Sequence, residues 1–148
     1  MSFTHTNKVR YQYVSGSVNV LKEISKVETA GAEMNVSEAI TTDASDEDAD
    51  IDLLHFDFAD ASQAKSVYLR LDGFNGGLWA NGTGGTLMAD LVDGEPFVWS
   101  DNGGLNFPPG RTNPLIDSIA KLTVHPADGA GTGTAGTITV SVLYDPTA

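Results

Sequence analysis

Apolar residues recur at every second position along most of this chain, and an alternation of that period builds strands. In "TITVSVLYD", Ile138, Val140, Val142 and Tyr144 fall on one face, while Thr137, Thr139 and Ser141 fall on the other with Leu143. "SVYLRLD" repeats the pattern, with Val67, Leu69 and Leu71 inward and Tyr68 and Arg70 outward, and "AKLTVH" adds Ala120, Leu122 and Val124. "VRYQYV" and "EMNVSEAI" alternate in the same way near the N-terminus. In "VNVLKEISKVETA", Val20 or Leu21, Ile24 and Val27 fit a helical stripe as well as a bulged strand. Gly16 and Gly31 bracket that segment and favour the strand.

Turn chemistry points to antiparallel pairing. Asp93-Gly94 lies between two apolar runs and suits a two-residue hairpin turn, because it accepts positive φ. Such a hairpin would pair Val92 with Glu95, Asp90 with Phe97 and Met88 with Trp99. Pro96, which lacks an N–H, makes the second strand an edge. Seven or eight strand candidates separated by Gly, Pro, Asn and Asp loops predict an all-β chain, a single-domain antiparallel β-sandwich of jelly-roll type over residues 1–148. Residues 1–45 are expected to be an N-terminal arm or added strands.

Composition excludes several chemistries. At 148 residues the chain can bury roughly 68–70% of its unfolded surface without a staple, and it has no cysteine for a disulfide or a thiolate site. Eight Lys and Arg against twenty Asp and Glu give a net charge of −12, which repels nucleic acid and anionic membranes. The start, "MSFTHTNKVRYQYV", lacks the apolar core of a signal peptide, and no apolar run is long enough for a spanning helix. A soluble chain that keeps its own N-terminus is therefore expected, with no nucleic-acid or membrane partner.

Two features stand out as candidate surfaces. In the expected hairpin, Met88, Val92, Phe97 and Trp99 occupy one face, and Leu87, Ala89, Leu91, Pro96 and Val98 the other, so both faces are apolar. Either another part of the chain or another subunit must cover the second face. The segment "GFNGGLWANGTGG" sets Phe74, Leu78 and Trp79 among six glycines. Its Trp79 is an anchor for a neighbour, a plug folded over its own sheet, or a sugar-stacking platform. The predicted interface set is Phe74, Leu78, Trp79, Leu91, Phe97, Val98 and Trp99.

Chemical motifs are sparse. "GTGTAG" at 131–136 has dinucleotide-loop spacing but opens into a strand, so a hairpin loop is expected there. In "DEDADIDLLHFD", Asp46, Asp48 and Asp50 occupy calcium-loop positions 1, 3 and 5, yet Ile51 stands where the sharp-turn glycine belongs and Asp57 is shorter than the usual closing Glu. A surface calcium site on these three carboxylates and a solvated acidic loop are the two readings; no other cofactor is expected. His5, His55 and His125 carry no metal or catalytic motif, and twenty carboxylates do not by themselves make a glycosidase pair. "NVS" at 35 and "NGT" at 81 fit the glycosylation triplet, a pattern that arises often by chance. No enzyme is predicted.

Residues 60–148 carry an order of short signals: Gln63, Lys65 and Ser66 opening a strand, Trp99 closing another, Asn113-Pro114 before a third, and the closing "LYDPT". This order resembles a type of small virion structural protein that tailed bacteriophages encode among their head genes. "GGLNFPPGR" is longer than that pattern, and the first 45 residues have no counterpart in it. The resemblance implies a capsid decoration or cement protein, sitting as a homotrimer on the outside of the major capsid protein shell. A carbohydrate-binding module using Trp79, Trp99, Asn81 and Asn102, and a phage tail or receptor-binding component, are the alternatives.

Overall fold

The computed structural model describes residues 1–41, 49–52, 63–80, 86–101, 106, 121–126 and 134–146. Ten strands run through these residues in chain order: β1 Phe3–Ser15, β2 Val18–Ala30, β3 Ala32–Thr41, β4 Ala49–Asp52, β5 Ala64–Asp72, β6 Gly76–Ala80, β7 Thr86–Leu91, β8 Pro96–Ser100, β9 Lys121–Pro126 and β10 Ala135–Tyr144. No α-helix occurs among the described residues. Segment 18–30, which sequence left between helix and strand, is β2, because each of its residues pairs in register with β1.

The strands form three antiparallel groups: a first sheet in the order β3-β10-β5-β8, a second in the order β4-β9-β6-β7, and a separate ribbon of β1 and β2. The two four-stranded sheets enclose the core. From the first sheet come Val67, Leu69, Leu71, Phe97, Ile138, Val140 and Val142; from the second come Leu78, Leu91 and Val124. The period-2 reading of β5 and β10 holds residue by residue, since their inward positions are buried and Tyr68, Arg70, Thr137, Thr139 and Ser141 are half-buried. Full burial of each such aliphatic side chain contributes about 1.5–3 kcal/mol.

The expected hairpin 87–99 does not exist. β7 pairs with β6 in the second sheet, and β8 pairs with β5 in the first. The Asp93-Gly94 turn itself forms: Gly94 has φ 72° and the Glu95 amide donates to the Val92 carbonyl at 2.9 Å. What redirects the strands is the neighbouring turn after β5. The Gly94 amide donates to the Leu71 carbonyl, the Gly73 amide to the Asp93 carboxylate at 2.7 Å, and the Asp93 amide to the Asn75 side chain at 2.8 Å. The two turns clasp each other, and each carries the chain from one sheet to the other. Crossing between sheets also explains the two apolar faces. Ala89 and Leu91 point inward from the second sheet, while Phe97 and Trp99 point inward from the first, so residues assigned to opposite faces share one core.

A close backbone approach holds the same end together. Gly73 adopts φ 116°, and a Cβ there would lie 2.5 Å from the Ala135 carbonyl oxygen. A Cβ on Gly136 would lie 2.6 Å from the Asp72 carbonyl oxygen and 2.8 Å from Phe74 Cε1. Only glycine fits at both positions, and the space they leave admits the Phe74 ring to the core.

Candidate assembly surface

The N-terminal ribbon departs most from an ordinary sandwich. Its strands are each 13 residues long, against a usual five or six, so the ribbon spans about 40 Å at roughly 3.3 Å per residue. Gly16 at φ 57° opens its two-residue loop, a primed turn whose twist matches a hairpin. The register places Phe3, His5, Asn7, Val9, Tyr11 and Tyr13 on one face with Ala30, Glu28, Lys26, Ile24, Lys22 and Val20. Thr4, Thr6, Lys8, Arg10 and Gln12 lie on the opposite face, with Lys8 paired to Glu23 at 2.9 Å, and three exposed apolar side chains, Val14, Leu21 and Val27, are spread among them.

At its base the first of these faces lies on the outside of the first sheet, where β1 and β2 touch β10 and β2 touches β5. Glu28 and Ala30 are buried there, as are Ser66 and Leu143 on the sheet below. Leu143 is the one large apolar residue on the otherwise polar face of β10, and the ribbon covers it. Gly31 is the single residue between β2 and β3, and its amide donates to the Asp145 carboxylate at 3.1 Å, fixing where the ribbon leaves the body.

The base also carries a small charged cluster. Glu33 accepts from the Asn35 amide and lies 3.3 Å from His5 Nε2. The Asn35 hydrogen bond first, then His5, hold the Glu33 carboxyl below its ordinary range of about 4.5. A depressed carboxylate stabilises the folded chain above its unfolded value, and that contribution is lost as pH falls through the folded value. Between pH 5 and pH 3 the native chain should therefore lose no more than about 1 kcal/mol from this cluster, given its partial exposure. Urea midpoints compared with Glu33→Gln measure it: the variant should show a correspondingly shallower acid loss.

Beyond the base no described residue covers the ribbon. Val9, Tyr11, Tyr13, Val18, Val20 and Ile24 share the face that seals the body at the base, and each is between 36% and 60% exposed. A two-stranded ribbon is only marginally stable alone in water, and six large apolar side chains on one face form a patch that ordinary monomers do not display. Where the ribbon leaves the sheet, a cleft of about 650 Å³ opens between Thr6–Arg10 and the half-buried Tyr68, Pro96 and Val98, with Gly94 and Glu95 at its rim.

The residues singled out from sequence fall elsewhere. Phe74, Leu78, Leu91, Phe97 and Trp99 come together, but inside the chain's own core. Two keep surface: Val98 in the cleft and Trp79 on the second sheet. Strand alternation after the buried Leu78 puts the Trp79 indole on the outer side, where a Cβ on Gly77 would lie 2.9 Å from its Nε1 and 3.0 Å from Leu87 Cδ1, and a bulge at Met88 of β7 brings Leu87 opposite it. Trp79 thus folds back over its own strand, in the space Gly77 leaves. Trp99 is buried and shares no platform with it; Asn81 and Asn102 lie outside the described residues. Asp46 and Asp48 also lie outside them, and Asp50 is placed only as backbone, opposite Thr123 in β4. The loop 131–133 and His55 are likewise outside, and Gly136 closes the "GTGTAG" run within β10.

The ribbon's apolar face was missed because its residues alternate like any half-buried strand. Its signal was present in the pairing of "VRYQYV" with "VNVLKEI" across Gly16, which stacks apolar residues opposite one another beyond the length of a sandwich strand. No protein-family model, curated protein or solved structure matches this chain.

Proposed function

We propose that the chain is a non-enzymatic virion structural protein of the capsid decoration or cement type, which binds the outer surface of a phage head and stabilises it. The observation that carries this reading is the ribbon: a sandwich body presents a long arm whose apolar face seals the body at one end and is uncovered at the other. An arm of this kind serves to hold a neighbour, and burying its face against one would contribute far more than a scattered surface residue. The virion setting comes from the resemblance of residues 60–148, with the chain itself, as a homotrimer, and the major capsid protein as partners. The strand orders β3-β10-β5-β8 and β4-β9-β6-β7 we read as a jelly roll, an architecture used by viral capsid and lectin domains. Architecture alone would leave the role open, and the arm is what favours assembly over sugar binding.

Immunogold labelling of intact virions tests the proposal. Label over the outside of the head is expected. Label confined to the tail, or no virion label together with binding to an immobilised glycan, would overturn it.

A further inference from the structure

Taking the arm as the assembly element, as proposed above, we infer that it docks on a second copy of this chain, its apolar tip face seated in the cleft beside Tyr68, Pro96 and Val98. Three observations converge on that seat.

The chain already makes this kind of contact within itself. At the base, the same ribbon face packs on the same outer sheet face and buries Leu143 and Ser66. The next rows of that sheet, Tyr68 opposite Val98 and Arg70 opposite Pro96, are left half-buried beside the open cleft. Each copy therefore carries an uncovered ribbon face and an uncovered stretch of the surface that such a face covers. One chain cannot satisfy both, because its own ribbon stands off the sheet by Val9 and Arg10, which form the far wall of the cleft, and the seven residue pairs from Val9 to Ser15 carry the tip about 20–25 Å further.

Charge selects the partner. Residues 1–30 hold four of the eight Lys and Arg (Lys8, Arg10, Lys22, Lys26) but two of the twenty acidic residues (Glu23, Glu28), so the ribbon is formally +2 and the rest of the chain −14. Body against body would oppose two strongly negative surfaces. Arm against body brings opposite signs together over the two surfaces as a whole; in the cleft itself Glu95 is the charge that suits Lys22 of the tip face, while Lys8, paired to Glu23, and Arg10 on the cleft's own ribbon wall carry the sign of the arm.

The absence of cysteine makes the test clean. A Val20→Cys chain and a Val98→Cys chain are mixed and treated with a short bis-maleimide; the control mixes Val20→Cys with Leu87→Cys, whose thiol is on the outside of the opposite sheet. Because the thiols sit in different chains, no product can form within one copy. Docking raises their effective concentration from the micromolar of mixing to the millimolar, so the Val20–Val98 product should form on the order of 100-fold faster than the control. The preference should shrink at high salt. Equal rates for the two mixtures, in solution and on the capsid shell alike, would overturn the seat. If the chain still labels virion heads in that case, the virion reading survives. If the preference holds in a chain that labels no virion, the seat stands and the virion reading falls.

Discussion

Replacing Val9, Tyr11, Tyr13, Val20 and Ile24 together by serine is expected to abolish assembly while leaving the sandwich folded. None of these side chains belongs to the core cluster, and all are on the uncovered face of the ribbon. Surface substitutions of this kind usually change stability by less than about 0.5 kcal/mol each, and here the effect falls on a ribbon tip that can fray without disturbing the sheets. Assembly should respond very differently. If two of the five behave as interface hot spots at about 2 kcal/mol apiece, association weakens by roughly 1,000-fold. The same treatment of the opposite face, with Val14, Leu21 and Val27 replaced by serine, should leave assembly unchanged, since those exposed side chains point away from the stripe that seals the body. Sedimentation at several protein concentrations reads the first quantity, and a thermal melt of the same samples reads the second. Unfolding of the five-serine variant would mean that the tip is part of the folding core after all.

Gly136→Val should be the most damaging single substitution in the body. The new Cβ would enter space held by the Asp72 carbonyl oxygen at 2.6 Å and Phe74 Cε1 at 2.8 Å, closer than real contacts allow. Neither neighbour can yield cheaply. Asp72 is at the end of β5, in register with Thr137, and Phe74 is buried in the core. Overpacking of this kind costs about 3 kcal/mol, the upper part of its usual range, and in a chain of this size that lowers the melting temperature by roughly 6–12 °C. Gly16→Ala is the contrast, because nothing lies within 4 Å of the position and only its positive φ opposes the side chain. A Gly136→Val chain that melts within a degree of the parent would show that the turn after β5 does not rest on β10.

Much of the body was legible in the sequence because strand period is a local property. Val67, Leu69 and Leu71, like Ile138, Val140 and Val142, alternate with half-buried polar residues wherever one looks along β5 and β10. Asp93-Gly94 likewise gave a true turn, since positive φ at Gly94 is decided by four residues. What those residues cannot decide is which strands they join. β7 and β8 pair with β6 and β5 because the turn is tied to Leu71, Gly73 and Asn75, some 20 residues away. That distant contact reversed the meaning of the hairpin's second apolar face, from an exposed surface to core. The exposed apolar surface lay instead in residues that looked unremarkable, because alternation reports that one face of a strand is apolar and is silent on whether the body or a neighbour covers it. For β1 and β2 the body covers the face as far as Asn7 and Lys26, and no farther.

The most direct measurement is the solution mass of the full chain beside a chain whose ribbon is shortened by joining Lys8 to Ser25, opposite each other in the register, through the Gly16-Ser17 loop. The shortened chain keeps the base, the Asp145 tie to Gly31 and the whole sandwich. If the arm is the assembly element, the full chain sediments as a multimer and the shortened one as a monomer, with the same near-ultraviolet circular dichroism and the same melting temperature. Equal masses for the two chains would contradict the account.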